Sequence, residues 1–179
     1  MRKCLLYFFL LCAALLAAQS GKNVAPQLFK VNALAPGVSY ELGVGRNTTL
    51  DFGLFFGFAA RGGSDRDTEF GLFPGFTGEL RYFTNMERRK SKGKYIAGNS
   101  GNYIALANQF QSGNSLIGNL DFNSNYYYNL GVVYGIQRTR KKGFYWGISF
   151  GPGLFKDEFD TDFGLMLNAR LGWVIGKRG

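Results

Sequence analysis

The sequence predicts an all-β fold, a closed antiparallel β-barrel of about eight strands, on the strength of three observations. Apolar residues recur at every second position through most of residues 21–179, which is the period of a strand, while the helical i, i+3, i+4 pattern is largely absent. The composition couples 26 glycines, 18 phenylalanines and 10 tyrosines with only 18% charged residues, a mixture that disfavours helix and suits strands in close backbone contact. Beyond the N-terminal segment, no stretch is continuously apolar over the roughly 20 residues that a spanning helix needs.

Taken in order, residues 1–20 read as a secretory signal. Arg2 and Lys3 form a basic start, Leu5 to Ala18 an apolar run, and Ala18-Gln19-Ser20 a small-residue cleavage region. The run is too short for a membrane-spanning helix. Cys12 lies in mid-run behind Leu10 and Leu11, with no small residue before it, which disfavours lipidation. Cleavage leaves one domain over 21–179, about 160 residues. Cys4 and Cys12 both leave with the signal, so no thiol remains for a disulfide, a metal or nucleophilic attack.

In the first mature segment Phe29, Val31, Ala33 and Ala35 occupy odd positions and Val38, Tyr40, Leu42 and Val44 even ones, so the phase slips at Pro36-Gly37. A two-residue hairpin with Ala35 facing Val38 produces that slip and makes eight strands. A bulge within one long strand also produces it and leaves seven segments. Downstream, Leu50, Phe52, Leu54, Phe56 and Phe58 share a face, as do Phe70, Leu72, Phe76, Leu80 and Tyr82. Residues 103–111 are apolar on both faces, a strand of unassigned orientation. Tyr126, Tyr128, Leu130, Val132, Tyr134 and Ile136 then align, followed by Phe144, Trp146, Ile148 and Phe150, and last by Leu165, Leu167, Ala169, Leu171, Trp173 and Ile175.

The opposite faces indicate what the apolar faces meet. A water-exposed exterior is rich in Lys, Glu and Thr, but here Gly, Ser and Asn dominate, with Lys30, Arg81 and Arg170 against Glu41, Asp51 and Glu79. Three charges of each sign suit a confined interior, where an unpaired charge costs several kcal/mol. Eight strands enclose just enough space for side chains to fill. The expectation is therefore a transmembrane barrel with lipid outside and a polar plug of ion pairs inside. Aromatics toward strand ends, at Tyr82-Phe83, Tyr126-Tyr127-Tyr128, Phe144-Tyr145-Trp146 and Trp173, are expected to form interfacial girdles.

With both termini on the periplasmic side, the connections Arg61 to Thr68, Ser112 to Asn125 and Lys156 to Asp162 fall outside. They carry Asp65, Asp67, Asp121, Asp157, Glu158, Asp160 and Asp162. The turns on the other side are basic: Arg88, Arg89, Lys90, Lys92 and Lys94, then Arg138, Arg140, Lys141 and Lys142, then Lys177 and Arg178. Those turns could meet anionic phospholipid headgroups or simply water. The formal charge of +9 by itself would suggest nucleic acid, but an exported protein rarely meets any, so no nucleic-acid partner is expected.

On Ser39-Tyr40-Glu41, Glu79-Leu80-Arg81-Tyr82-Phe83 and Arg170-Leu171-Gly172-Trp173, and on the strand pattern of the whole mature chain, the sequence resembles the small bacterial outer-membrane β-barrel superfamily, the group that includes OmpX and the OmpA membrane domain. The resemblance implies an outer-membrane location, contact with outer-membrane lipids, and delivery by the barrel-assembly machinery. In that superfamily the final strand usually ends on an aromatic; here it runs on to Gly176-Lys177-Arg178-Gly179.

The absence of histidine excludes a Ser-His-Asp triad and imidazole metal ligation, so no catalytic residues, cofactor or metal are expected. The loop Asp157-Glu158-Phe159-Asp160-Thr161-Asp162 offers hard oxygen ligands that could hold a calcium or magnesium ion, without EF-hand spacing, or it is a solvated acidic loop. The function expected is a non-enzymatic barrel that supports the envelope or displays its loops. Leu116, Ile117, Leu120 and Phe122 are the candidate contacts for a surface partner. The competing expectations are a soluble periplasmic barrel holding a hydrophobic ligand, with its aromatic face inward, and a narrow channel.

Overall fold

The computed structural model describes residues 21–63 and 66–176, with no side-chain account of Arg66 and Asp67; the expected signal over 1–20, Asp65, and the basic tail at Lys177 and Arg178 lie outside it. The fold is all-β. Strands β1 (Gln27–Asn32), β2 (Gly37–Gly43), β3 (Thr48–Gly63) and β4 (Arg66–Phe83) run as consecutive antiparallel neighbours. A six-residue helix α1 (Met86–Ser91) lies in the connection to β5 (Gly101–Ser112). The two-residue strand β6 (Ile117–Gly118) adds to the outer part of β4. Then β7 (Tyr126–Thr139), β8 (Phe144–Lys156) and β9 (Thr161–Ile175) complete the order.

Pairing of β9 with β1 closes the antiparallel sheet into a ring of eight strands, with β6 outside the ring on β4. Closure leaves both described chain ends at one end of the ring, called here the terminal end. The alternation read from the sequence is the alternation of the ring. Residues at the aligned apolar positions face outward: Phe58 and Leu165 are each 67% exposed, and Leu167 is 73% exposed. In β5, Ile104 and Leu106 face out while Tyr103, Ala105 and Ala107 are buried, which resolves its orientation.

The first hairpin exists, but its register differs from the expected one. Asn32 pairs with Gly37 and Val31 with Val38, so the connection is the four residues Ala33-Leu34-Ala35-Pro36, and Ala35 does not face Val38. The phase slip arises because an even number of residues separates any paired positions, putting Val31 and Val38 on one face. Proline supplies no N–H, but its carbonyl accepts from Phe56 N at 2.8 Å, tying the turn to β3.

This hairpin is also short. β9 pairs with β1 only from Gly172 to Ile175, with one further bond from Ala33 N to Leu171 O, so residues 161–170 have a ladder neighbour on one side alone. The wall is therefore notched above Pro36, and the turn that ends there is wholly apolar, with Leu34 62% exposed.

The interior is layered. At the terminal end, Val24, Phe83, Met86, Tyr103 and Val133 form an apolar floor, with Ala25, Leu28, Tyr145 and Val174 beside it. Phe83 and Tyr145 thus belong to the interior and not to an outer girdle. They are odd-numbered members of aromatic runs whose even members, Tyr82, Phe144 and Trp146, face out. At the far end Phe122 stacks on Phe73 at 4.4 Å and meets Tyr127 edge-on at 5.6 Å, forming a lid. Charged groups lie between floor and lid.

Candidate functional site

The strand registers bring together the six charged residues read from the sequence. Glu41 pairs with Asp51 across β2 and β3, and Asp51 with Glu79 across β3 and β4, so three carboxylates stand abreast on the inner wall. Left alone they would repel. Lys30, from β1, donates to Glu41 at 2.8 Å and to Asp51 at 2.5 Å. Arg81, two residues beyond Glu79 on the same face, reaches Asp51 at 2.5 Å through one terminal nitrogen and Glu79 at 2.7 Å through Nε. Arg170 crosses from β9 to bond Glu79 and lies 3.9 Å from Asp51. Lys30, Glu41 and Arg81 are completely buried.

Partners that sequence reasoning did not single out join the cluster, which still leaves Arg81 Nη2 buried without a hydrogen-bond partner among the described residues. Thr49 donates to Glu41 at 2.7 Å, and Gln137 accepts from Arg81 at 3.3 Å. The Arg81 guanidinium lies 5.0 Å from the Tyr103 ring centroid, and Lys30 5.7 Å from that of Tyr145, whose hydroxyl bonds Asn32. Strand parity would have found all of these, since each has the parity of the inward positions on its strand. Tyr103 fits because Gly135 opposite it has no Cβ; one would fall within 2.5 Å of the tyrosine ring.

The cluster, floor and lid leave little space. One gap bounded by Thr77, Glu79, Ser149 and Asn168 measures about 50 Å³, and another near Asn32, Gln109 and Arg170 about 80 Å³. Such volumes suit a few waters among polar groups, not an organic ligand. Chemically, the cluster is a set of mutually neutralised ions, none presenting a free nucleophile or base to solvent.

The two ends of the ring differ in charge. At the far end, Asp157 accepts from the backbone of Phe159 at 2.7 Å and of Asp160 at 2.8 Å, and Glu158 accepts from Asn125 Nδ2 at 2.8 Å. These carboxylates cap turns, and among the described residues no three acidic, histidine or cysteine groups converge as a metal site would require. Asp121 accepts from Ser115 N at 2.7 Å and Oγ at 3.0 Å, and these bonds hold its carboxyl below the usual carboxylate range. Of the four candidate loop contacts, Leu120 is buried and Phe122 belongs to the lid. Leu116 and Ile117 are exposed, and Phe122 keeps 37% of its surface exposed within the lid.

At the terminal end, Glu87 already pairs with Arg46 at 3.0 Å, and the rest of α1 and the β7–β8 turn is basic. Outside the ring at this end lies a groove of about 810 Å³ bordered by Arg89, Tyr95, Arg138, Arg140, Phe144 and Trp146. Comparison with known protein families, with curated proteins and with solved structures finds no match to this chain.

Proposed function

We propose that this chain is a transmembrane β-barrel. Its particular role in this reading is that of a non-enzymatic protein of the bacterial outer membrane, with a plugged interior and loops displayed at the surface. The observation that carries the proposal is the inverted distribution of polarity. The groups most costly to dehydrate, Lys30, Glu41, Asp51 and Arg81, are sealed within the ring, while phenylalanine, leucine and tryptophan side chains face outward around it. A soluble monomer rarely exposes an apolar patch beyond about 300–600 Å², whereas a belt around a closed sheet matches a hydrocarbon slab about 25 Å thick. Hydrocarbon demands that backbone groups be paired within the protein, and a closed ring answers that demand over most of its wall.

The same inversion argues against a soluble barrel with a hydrophobic ligand inside, because the aromatic belt faces away from the axis. The ionic cluster and the small interior gaps argue against a channel. Leu116 and Ile117, with the exposed edge of Phe122, are apolar side chains that the long loop leaves for a surface partner at the end away from the termini.

Fractionation of an envelope-containing bacterium expressing the full chain tests the reading. Recovery in the outer-membrane fraction, with heat-dependent gel mobility, is expected. A product that is soluble and folded without detergent would overturn the proposal.

A further inference from the structure

The groove at the terminal end has an arrangement that the plugged interior does not explain. Arg138 has the parity of Tyr134 and Ile136, so it stands on the outward, apolar face, level with Trp146 across the β7–β8 ladder. An outward cation at that place would be unfavourable without a partner, and the protein fixes it there. Its guanidinium donates to Gly101 O at 2.8 Å, Gln137 O at 2.7 Å and Asn102 Oδ1 at 2.7 Å, all neutral acceptors.

From α1, Arg89 is brought beside it. One terminal nitrogen of Arg89 donates to Tyr95 O at 2.9 Å, while its Nε is buried with no hydrogen-bond partner. Arg89 and Arg138 thus line one groove. Among the described residues that line the groove there is no carboxylate, and Arg140, Lys141 and Lys142 bring its cations to five. Phe144 and Trp146 line the groove and continue into the apolar belt through Ile148, which is 47% exposed.

We infer that this groove binds the headgroup of an anionic glycerophospholipid, its phosphate between Arg89 and Arg138 and an acyl chain lying along Trp146 and Ile148. The inference rests on the membrane reading. Charge selects an anion, and the planar N–H forks of two arginines match phosphate oxygens. The aromatic wall running into the outward belt selects an amphiphile over a soluble ion, since a free phosphate has nothing to place against Trp146 and Ile148. The notch beside β9 does not share this character: Asn32, Asn168 and Arg170 lie there among Ala35, Leu54 and Leu171, with no cluster of like charges to select an occupant.

The test uses quenching of Trp146 by brominated lipids. Trp173→Phe leaves Trp146 as the single tryptophan of the chain. The protein is refolded into phosphatidylcholine vesicles containing a minor fraction of phosphatidylglycerol, with bromine on the chains of one lipid or the other. Each cation near an anionic lipid is worth about five-fold in local concentration, so quenching by the brominated phosphatidylglycerol is expected to exceed its share of the mixture by at least about five-fold. Arg89→Gln with Arg138→Gln removes most of the preference even though Arg140, Lys141 and Lys142 stay in the groove, Arg89→Lys with Arg138→Lys retains most of it, and Arg88→Gln with Lys90→Gln, equal in charge loss but outside the groove, leaves it intact.

Equal quenching by the two lipids overturns the site while leaving the membrane reading in place. Quenching by neither overturns the membrane reading and the inference with it. If the Arg88 and Lys90 pair lowers the preference as much as the groove pair, the attraction is diffuse and there is no site. Inorganic phosphate in the buffer leaves the preference unchanged if the lipid is the ligand; its abolition would assign the groove to a free anion.

Discussion

Replacing Arg81 with methionine removes the residue that the three abreast carboxylates share. Arg81 contacts Asp51 at 2.5 Å, Glu79 at 2.7 Å and Glu41 at 3.5 Å. Opposite charges about 4 Å apart attract by about 4 kcal/mol at an effective dielectric constant near 20, and dehydration costs several kcal/mol per ion, so the intact cluster is close to balanced. Arg81→Met upsets that balance by leaving three carboxylates against Lys30 and Arg170. Orphaning one buried charge costs about 3–5 kcal/mol. With a urea slope of about 2 kcal/mol per molar, the unfolding midpoint should fall by about 2 M.

The decisive comparison is the double variant Arg81→Met with Asp51→Asn. It leaves two complete pairs, Lys30 with Glu41 and Arg170 with Glu79. Stability should recover by more than half of the single-variant loss, although Asp51→Asn alone is destabilising. Urea titration of tryptophan fluorescence in detergent micelles, at fixed micelle concentration, reads both effects. A single variant as stable as the parent, or losses that simply add in the double variant, would refute the account of a neutral, mutually dependent cluster.

Two further outcomes test other parts of the molecule. Leu34→Arg at the tip of the short first hairpin should cost about 2–4 kcal/mol in bilayers if the turn lies near mid-membrane, whereas Leu116→Arg in the long loop should change stability by less than about 0.5 kcal/mol; equal effects in a urea titration of the protein in lipid vesicles would remove the turn from the hydrocarbon. Asp121 has a lowered carboxyl pKa in the folded loop, so its contribution to loop order is present above the ordinary carboxylate range and is lost as pH falls through the lowered value. Limited proteolysis of residues 113–125 by an acid-tolerant protease should therefore accelerate at that acid end for the parent, while Asp121→Asn cleaves fast at every pH; a parent whose cleavage is independent of pH would contradict the role of the Ser115 bonds.

The sequence by itself determined the all-β class, the outward and inward faces of nearly every strand, and the membership of the charged cluster. Period-two alternation is a local property, and a strand that alternates Leu167, Ala169 and Leu171 with Asn168 and Arg170 carries its sidedness without reference to its neighbours. The charges were legible because six ionisable residues on otherwise glycine-rich faces have few alternatives to pairing with one another.

Only the tertiary structure decided who pairs with whom. That Glu41, Asp51 and Glu79 stand side by side depends on the registers of three strands, and that Arg170 reaches Glu79 depends on ring closure, which sequence separation hides. The same holds for the stopping point of the first hairpin, since a phase slip fixes parity but not loop length. The split of the aromatic runs into Phe83 and Tyr145 inside and Tyr82 and Trp146 outside follows strictly from alternation, whereas aromatic composition alone does not distinguish the members of a run. The groove joining Arg89 to Arg138 was least legible of all. It is made by a connection folding back against a strand end, and no period in the sequence records where a connection comes to rest.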